Sequence, residues 1–179
     1  TLAYPAYASS GHVVYQRGFV VIGNTTTSLW VLPVRKTQES NEPVFLADQA
    51  QMPSVSSDGV LLYSRLSDTA SAINRLVWVD RSGTVLDSIG RRRSGISNPV
   101  LSPEGRRVAV EAREQRSRDI WVNDIERGTA TRLTFDPGFD DSPVWSPDGN
   151  RIAFRSSRSG AGDIFVRVAD GSGAPELLL

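Results

Sequence analysis

The chain contains no cysteine, one histidine (His12), one lysine (Lys36) and one methionine among 179 residues. Without cysteine there is no disulfide and no thiolate metal site, and the redox compartment stays open. A zinc site cannot be assembled from one histidine and no cysteine. His12 is also the sole imidazole base for an acyl-transfer triad, and no G-x-S-x-G turn accompanies it, so it reads as a residue of a surface turn. Net charge is absent too, 20 basic residues balancing 20 acidic ones. A nucleic-acid or anionic-membrane binder carries a basic surplus, so neither partner is expected. No apolar run approaches the roughly 18 residues that span a bilayer. The chain opens on Thr1 without a basic-then-apolar leader, which suggests a processed form or a piece of something longer.

What the sequence does have is a repeat. Gly11, Gly59, Gly105 and Gly149 stand 48, 46 and 44 residues apart, and six residues before each lies a proline: Pro5, Pro53, Pro99 and Pro143. After each glycine comes an apolar run ("HVVYQ", "VLLYS", "RRVAV", "NRIAF"). A second run follows around an aromatic, Trp30, Trp78, Trp121 or Phe165, and then a short closing run. Each unit thus holds four short segments rich in Val, Ile, Leu and aromatics, punctuated by Gly, Pro, Asp and Ser. No helical period is present. Runs such as "DIWV" are apolar at consecutive positions, as in strands buried on both faces. The expected fold is all-β: four consecutive four-stranded antiparallel sheets, packed as β-propeller blades. The units fall at 4–47, 48–90, 95–135 and 139–179 of a single segment covering 1–179. A lone blade cannot bury its faces, which is why the pattern recurs.

The turn opening each unit has a mechanism. In "SPDG", Pro147 presets the first central position of a type I turn, Asp148 suits the second, and Gly149 the fourth. "SPEG" at 102–105 keeps the proline and the glycine. "SSDG" at 56–59 loses the proline, and "ASSG" at 8–11 loses proline and aspartate alike, so the repeat decays toward the N-terminus.

The stretch "WSPDGNRIAFRSSRSGAGDIFVRVADGSGAPELL" resembles the TolB-like propeller repeat, a WD-repeat-like blade. Residues 97–135 match it through "SPEG", "DIWV" and "TRLTF", 47–90 in outline, and 4–46 in spacing. The resemblance implies an inner strand A, a rim strand D, A–B and C–D turns on one face, and B–C and D–A loops on the other. Such blades occur in periplasmic TolB, in gating domains of prolyl oligopeptidase-like enzymes, and in sensor regions attached to bacterial serine/threonine kinases. "RLVWVDRSG" and "RLTFDPG" look most like the kinase-attached group.

The function expected is that of a non-catalytic scaffold or sensor module, without cofactor, binding a protein or ligand through its loop face in an extracytoplasmic, periplasmic setting. The alternative is an accessory propeller gating a prolyl oligopeptidase-like hydrolase. A metal-dependent sugar or lactone enzyme fits less well, since no ligand set shows in the inner strands. Four units leave two apolar flanks open, so either further blades of a larger ring or a second copy of the chain is expected against them.

Candidate partner-binding residues lie in the non-repeating loops, where recognition concentrates on a rigid frame. "GRRRSG" supplies Arg91, Arg92 and Arg93 in the connection between the second and third units. "FDPGFDDSP" supplies Asp136, Asp140 and Asp141; turn-building and capping are their simplest role, and Ca²⁺ binding is the rival. These two loops are expected on one face, where they could pair or form a bipolar docking surface. The B–C loops add Arg113, Arg116, Arg155 and Arg158 as exposed candidates. Asp119 and Asp163 are expected to lock their blades through hydrogen bonds, and Trp145 to pack between blades.

Overall fold

The structure, a computed structural model, describes residues 2–8, 11–21, 24–33, 42–55, 61–65, 73–79, 85–114, 117–160 and 162–179. Every regular element among them is a β-strand. A first antiparallel sheet holds β1 (Leu2–Ala8), β2 (His12–Val21), β3 (Asn24–Pro33) and β4 (Val44–Asp48), neighbours in chain order. The second unit is described as two ladders. One pairs β5 (Ala50–Val55) with β6 (Leu61–Arg65), and the other pairs β7 (Ile73–Val79) with β8 (Val85–Ser94). The third sheet holds β9 (Ser97–Leu101), β10 (Arg107–Glu114), β11 (Ser117–Asp124) and β12 (Ala130–Arg132). The fourth holds β13 (Asp140–Trp145), β14 (Arg151–Ser156), β15 (Asp163–Val168) and β16 (Glu176–Leu177).

The turns at 102–105 and 146–149 are built as their residues dictate. Gly105 N–H donates to Ser102 O and Gly149 N–H to Ser146 O, each at 2.9 Å. Both glycines have positive φ, 72° and 70°, where a Cβ is costly, which explains their recurrence. Ser102 and Ser146 close the turns further, accepting on Oγ from Arg107 N (3.0 Å) and Arg151 N (2.9 Å). Asp148 accepts from Ser146 Oγ at 2.5 Å, from Asn150 N at 3.0 Å and from Asn150 Nδ2 at 3.1 Å, bonds that pull its carboxyl down to about 2. The earlier turns lie largely outside the described residues.

The recurrent prolines have a second job. In each of the four inner strands the ladder register slips across the proline: between Ala3 and Ala6, Gln51 and Ser54, Ser97 and Val100, and Asp141 and Val144. Proline has no N–H to give the ladder, so the strand bulges there. Asn98 and Ser142, just before Pro99 and Pro143, take positive φ (45° and 55°).

Among the described residues, the third sheet meets its neighbours flank to flank over two apolar cores. Leu62, Leu76 and Ile89 of the second unit pack with Leu101, Val108 and Val110 of the third. Ala109, Ile120, Val122 and Leu133 of the third pack with Trp145, Ile152 and Phe154 of the fourth. Trp145 is buried at this second junction, as expected: its indole N–H donates to Val100 O at 3.0 Å, and the Arg107 guanidinium lies 4.8 Å over its ring. Arg107 also donates to Gly149 O at 2.7 Å, tying the third unit to the turn of the fourth.

Strands reach further than the sequence suggests. Residues 17–28, which lead from "HVVYQ" to the run around Trp30, are mostly the facing ends of β2 and β3. The arginine run at 91–93, read as a connection, belongs to β8. Asp140 and Asp141, read as loop residues, open the inner strand β13. In each case backbone pairing continues past the apolar segment, so polar residues enter the ladder. His12 likewise opens β2 and is half-buried.

Candidate functional site

The inner-strand bulge turns the first residues of β9 and β13 toward the far end of the neighbouring strand. Ser97 thereby pairs with Glu111, and Asp141 with Arg155. The same ladder position is held by Gln16 in the first unit and Ser64 in the second. Four equivalent places thus carry Gln, Ser, Glu and Arg, so this position is free of the repeat's constraint.

Glu111 is 1% exposed, and a buried carboxylate needs partners. It accepts from Ser97 Oγ (3.0 Å), from Asn98 Nδ2, and from the backbone N–H of Ser142 in the next unit (2.7 Å), while Arg118 lies 3.6 Å away. Asp141 receives a two-pronged bond from Arg155, 2.8 Å from Nε and 2.6 Å from Nη2, the geometry in which guanidinium and carboxylate bind most strongly. Arg155 beside it holds the Asp141 carboxyl below its ordinary value of 3.8, outweighing the opposing effect of burial, with Ser142 Oγ and Arg118 adding to the shift. Arg155 in turn feels both Asp141 and Glu111. The four groups form one alternating cluster at the junction of the third and fourth units.

A second pair lies beside it. Fully buried Asp140 meets Arg158 at 3.3 Å, and Arg158 also donates to Ser156 Oγ (2.8 Å) and lies 4.5 Å over the Phe165 ring. The D–A connection is fastened to the B–C loop of the fourth unit: Phe139 N donates to Ser157 Oγ at 2.7 Å, and Ser157 N to Phe139 O at 2.9 Å. Phe139 also bridges to Arg118 on β11. The B–C loop of the fourth unit, the D–A connection before it and the charge cluster therefore share one end of the sheets. There Phe139 is 54% exposed, and the side chains of Arg155 and Arg118 are 58% and 38% exposed.

The sequence-derived candidates separate accordingly. Asp140, Asp141, Arg155 and Arg158 come together, paired with one another and not with the arginines of β8. Arg158, expected to be exposed, is half-buried over an aromatic ring. Asp136 caps its own turn, accepting from Gly138 N at 2.9 Å. Arg91 and Arg92 are exposed on β8, whereas Arg93 is half-buried with its guanidinium 3.3 Å from the centre of the Trp121 ring. Arg113 is exposed near the end of β10, and Arg116 lies outside the described residues. Asp119 does lock its blade, accepting from Arg132 at 2.9 Å and Ser117 Oγ at 2.8 Å. Glu111 and Arg118 were not singled out from the sequence. Aligning the chain on itself at a step of 44 would have set Glu111 against Arg155 and exposed the change of sign. Among the described residues no group of three or more His, Cys, Asp and Glu gathers as a metal would require.

Antiparallel sheets in chain order, packed flank to flank and each entered through a proline bulge, define a segment of a β-propeller. Residues 52–178 match the TolB beta propeller domain, and the chain belongs to that family. Solved structures agree on the fold. TolB from Acinetobacter baumannii superposes with a TM-score of 0.79 at 19% identity over 99% of this chain and 43% of its own. A TolB-type structure from Agrobacterium tumefaciens gives 0.75 at 24% identity over 100% and 62%. Acylaminoacyl peptidase of Pyrococcus horikoshii gives 0.66 at 15% identity over 99% and 32%. The chain thus spans less than two thirds of the length of each. No curated protein matches its sequence.

Proposed function

We propose that this chain is a non-catalytic recognition module, extracytoplasmic like the TolB proteins it resembles, that binds a protein or peptide ligand at the end bearing the B–C loops and D–A connections. One observation carries the reading. Buried carboxylates hold Arg118 and Arg155 in place with their guanidinium groups partly in solvent, and exposed Phe139 sits beside Arg118. Aromatic and arginine side chains dominate binding energy at interfaces, and arginines already fixed by partners lose less entropy on contact. The pattern suits a segment presenting carboxylates around an apolar side chain. Selection of a displayed random-peptide library against the whole chain tests it. Enriched peptides should be acidic and should bind Arg155→Ala or Phe139→Ala at least about tenfold more weakly, the loss typical of an anchor residue. Failure to enrich any sequence, or binding indifferent to both substitutions, would overturn the reading.

A second reading, the accessory gate of a hydrolase, draws on the peptidase among the structural neighbours. A Ser-Asp-His hydrolase domain encoded beside this segment would favour it; a transmembrane helix and kinase domain would favour the sensor.

A further inference from the structure

Arg113 and Arg118 stand directly opposite one another in the ladder between β10 and β11. Side chains at facing positions start on the order of 5 Å apart, and like charges there repel. Both lie on the face turned toward the fourth unit. Ala109 and Ile120, which share that face by alternation along the two strands, sit in the core under Trp145 and Phe154. Glu111, on the same face, reaches the Ser142 amide of the fourth unit. Packing does not compel two arginines here, since Arg113 is exposed and the Arg118 side chain is 38% exposed. Nor does the repeat compel them: at a step of 44 the fourth unit has Ser157 and Gly162 in their places. A pair that opposes the fold locally, and that the fold does not require, is the kind a function maintains.

The two arginines are held differently. Arg118 lies 3.6 Å from buried Glu111. Arg113 has no ion-pair partner among the described residues. Its stem is backed by the connection into β9 at Gly95, where a Cβ would stand 3.2 Å from the Arg113 Cβ. On the other side of Arg118 lies Phe139, bridged to it in parallel and 54% exposed. Arg113, Arg118 and Phe139 thus form a row across three adjacent backbones. The charges around this row do not cancel. Asp140 answers Arg158, which leaves Glu111 and Asp141 against Arg113, Arg118 and Arg155, two carboxylates to three guanidinium groups.

We propose that Arg113 and Arg118 close on one carboxylate of the bound segment, while the apolar side chain next to that carboxylate rests on Phe139. This rests on the reading of this end as a peptide-binding surface, and it makes Arg113 the residue that sets specificity there. The ligand supplies the third acid that the alternating cluster lacks. A carboxylate between the two guanidinium groups turns their repulsion into charge-assisted contacts. A neutral amide in its place leaves the repulsion standing, so the site tells acid from amide.

Arginine side-chain NMR of the whole chain, titrated with two small acids, tests this. N-acetyl-glutamyl-phenylalaninamide offers a side-chain carboxylate beside an aromatic ring, and N-acetyl-phenylalanine offers a terminal one. At least one should shift the Arg113 and Arg118 signals, and whichever does so names the source of the carboxylate. The matching amides, N-acetyl-glutaminyl-phenylalaninamide and N-acetyl-phenylalaninamide, should bind at least about tenfold more weakly. Arg113→Gln should bring the acid down to the affinity of its amide, and Arg113→Lys, which keeps the charge without the fork, should recover only part. The unliganded chain gives a second readout. Arg113→Gln should raise the urea midpoint at about 10 mM salt but not at about 1 M, where the repulsion is screened. A midpoint lowered at low salt would overturn the proposal. So would an Arg113→Gln chain that still prefers the acid, while Arg155→Ala and Phe139→Ala lose it; the docking end would then stand without the clamp. Acids that shift no arginine at this end would remove clamp and docking end together.

Discussion

At the scale of residues, the charge cluster shows how few side chains can make one junction unlike the others. Glu111 joins its own inner strand, through Ser97 and Asn98, to the next unit, through the Ser142 amide. Asp141 is held by Arg155 alone in the two-pronged manner, and this gives a pH dependence of known sign. The carboxyl lies below its ordinary value of 3.8 in the folded chain, so its contribution is complete above that pH. It is lost as the pH falls below 3.8 and through the lowered value. Asp141→Asn should therefore lower the urea midpoint near neutrality and flatten its fall in the acid range; curves that run parallel to the wild type would exclude the assignment. The charges themselves are legible in the sequence, but their pairing is not. Asp141 and Arg155 meet only because of the bulge at Pro143, and Glu111 sits inside "RRVAVEAR", where a strand carboxylate reads as solvated.

At the scale of elements, the turn is the best-read feature, because its chemistry is local. Gly149 (φ +70°) and Gly128 (φ +64°) both lie in the left-handed region. A Cβ at Gly149 would come 2.6 Å from Glu104 Oε2, the far end of a flexible side chain, while one at Gly128 meets nothing within 4 Å. Gly149→Ala and Gly128→Ala should each cost about 1–2 kcal/mol from backbone strain alone, with only a small excess at Gly149 as Glu104 swings aside. Glu104 accepts from Arg107 Nε at 3.0 Å, and a large excess in chemical denaturation would mean that it is more tightly committed than that part-exposed bond implies. Strand ends were less legible. The repeated prolines are plain in the sequence, yet their role in a bulge depends on the register of a partner strand, and β8 runs into polar arginines that no apolar pattern marks.

At the scale of the molecule, neighbouring units are coupled by side chains that cross between them. Trp145→Ala should cost about 3–5 kcal/mol, a large buried aromatic lost from the second core. Trp145→Phe should cost about 1 kcal/mol for the bond to Val100 O. Native-state hydrogen exchange should show β10 and β14 losing protection together in Trp145→Ala; protection lost in one strand only would mean that the units open independently. The flank-to-flank plan was legible because the repeat enforces it, whereas the residues that break the repeat carry whatever is particular to this chain. The proline bulges also bear on solubility. Each inner strand is an edge of its sheet, and an unbroken edge invites templating by foreign chains, the first step toward amyloid. A missing amide in mid-strand on the axial side, with β12 and β16 only three and two residues long at the third and fourth rims, leaves such a template little to copy.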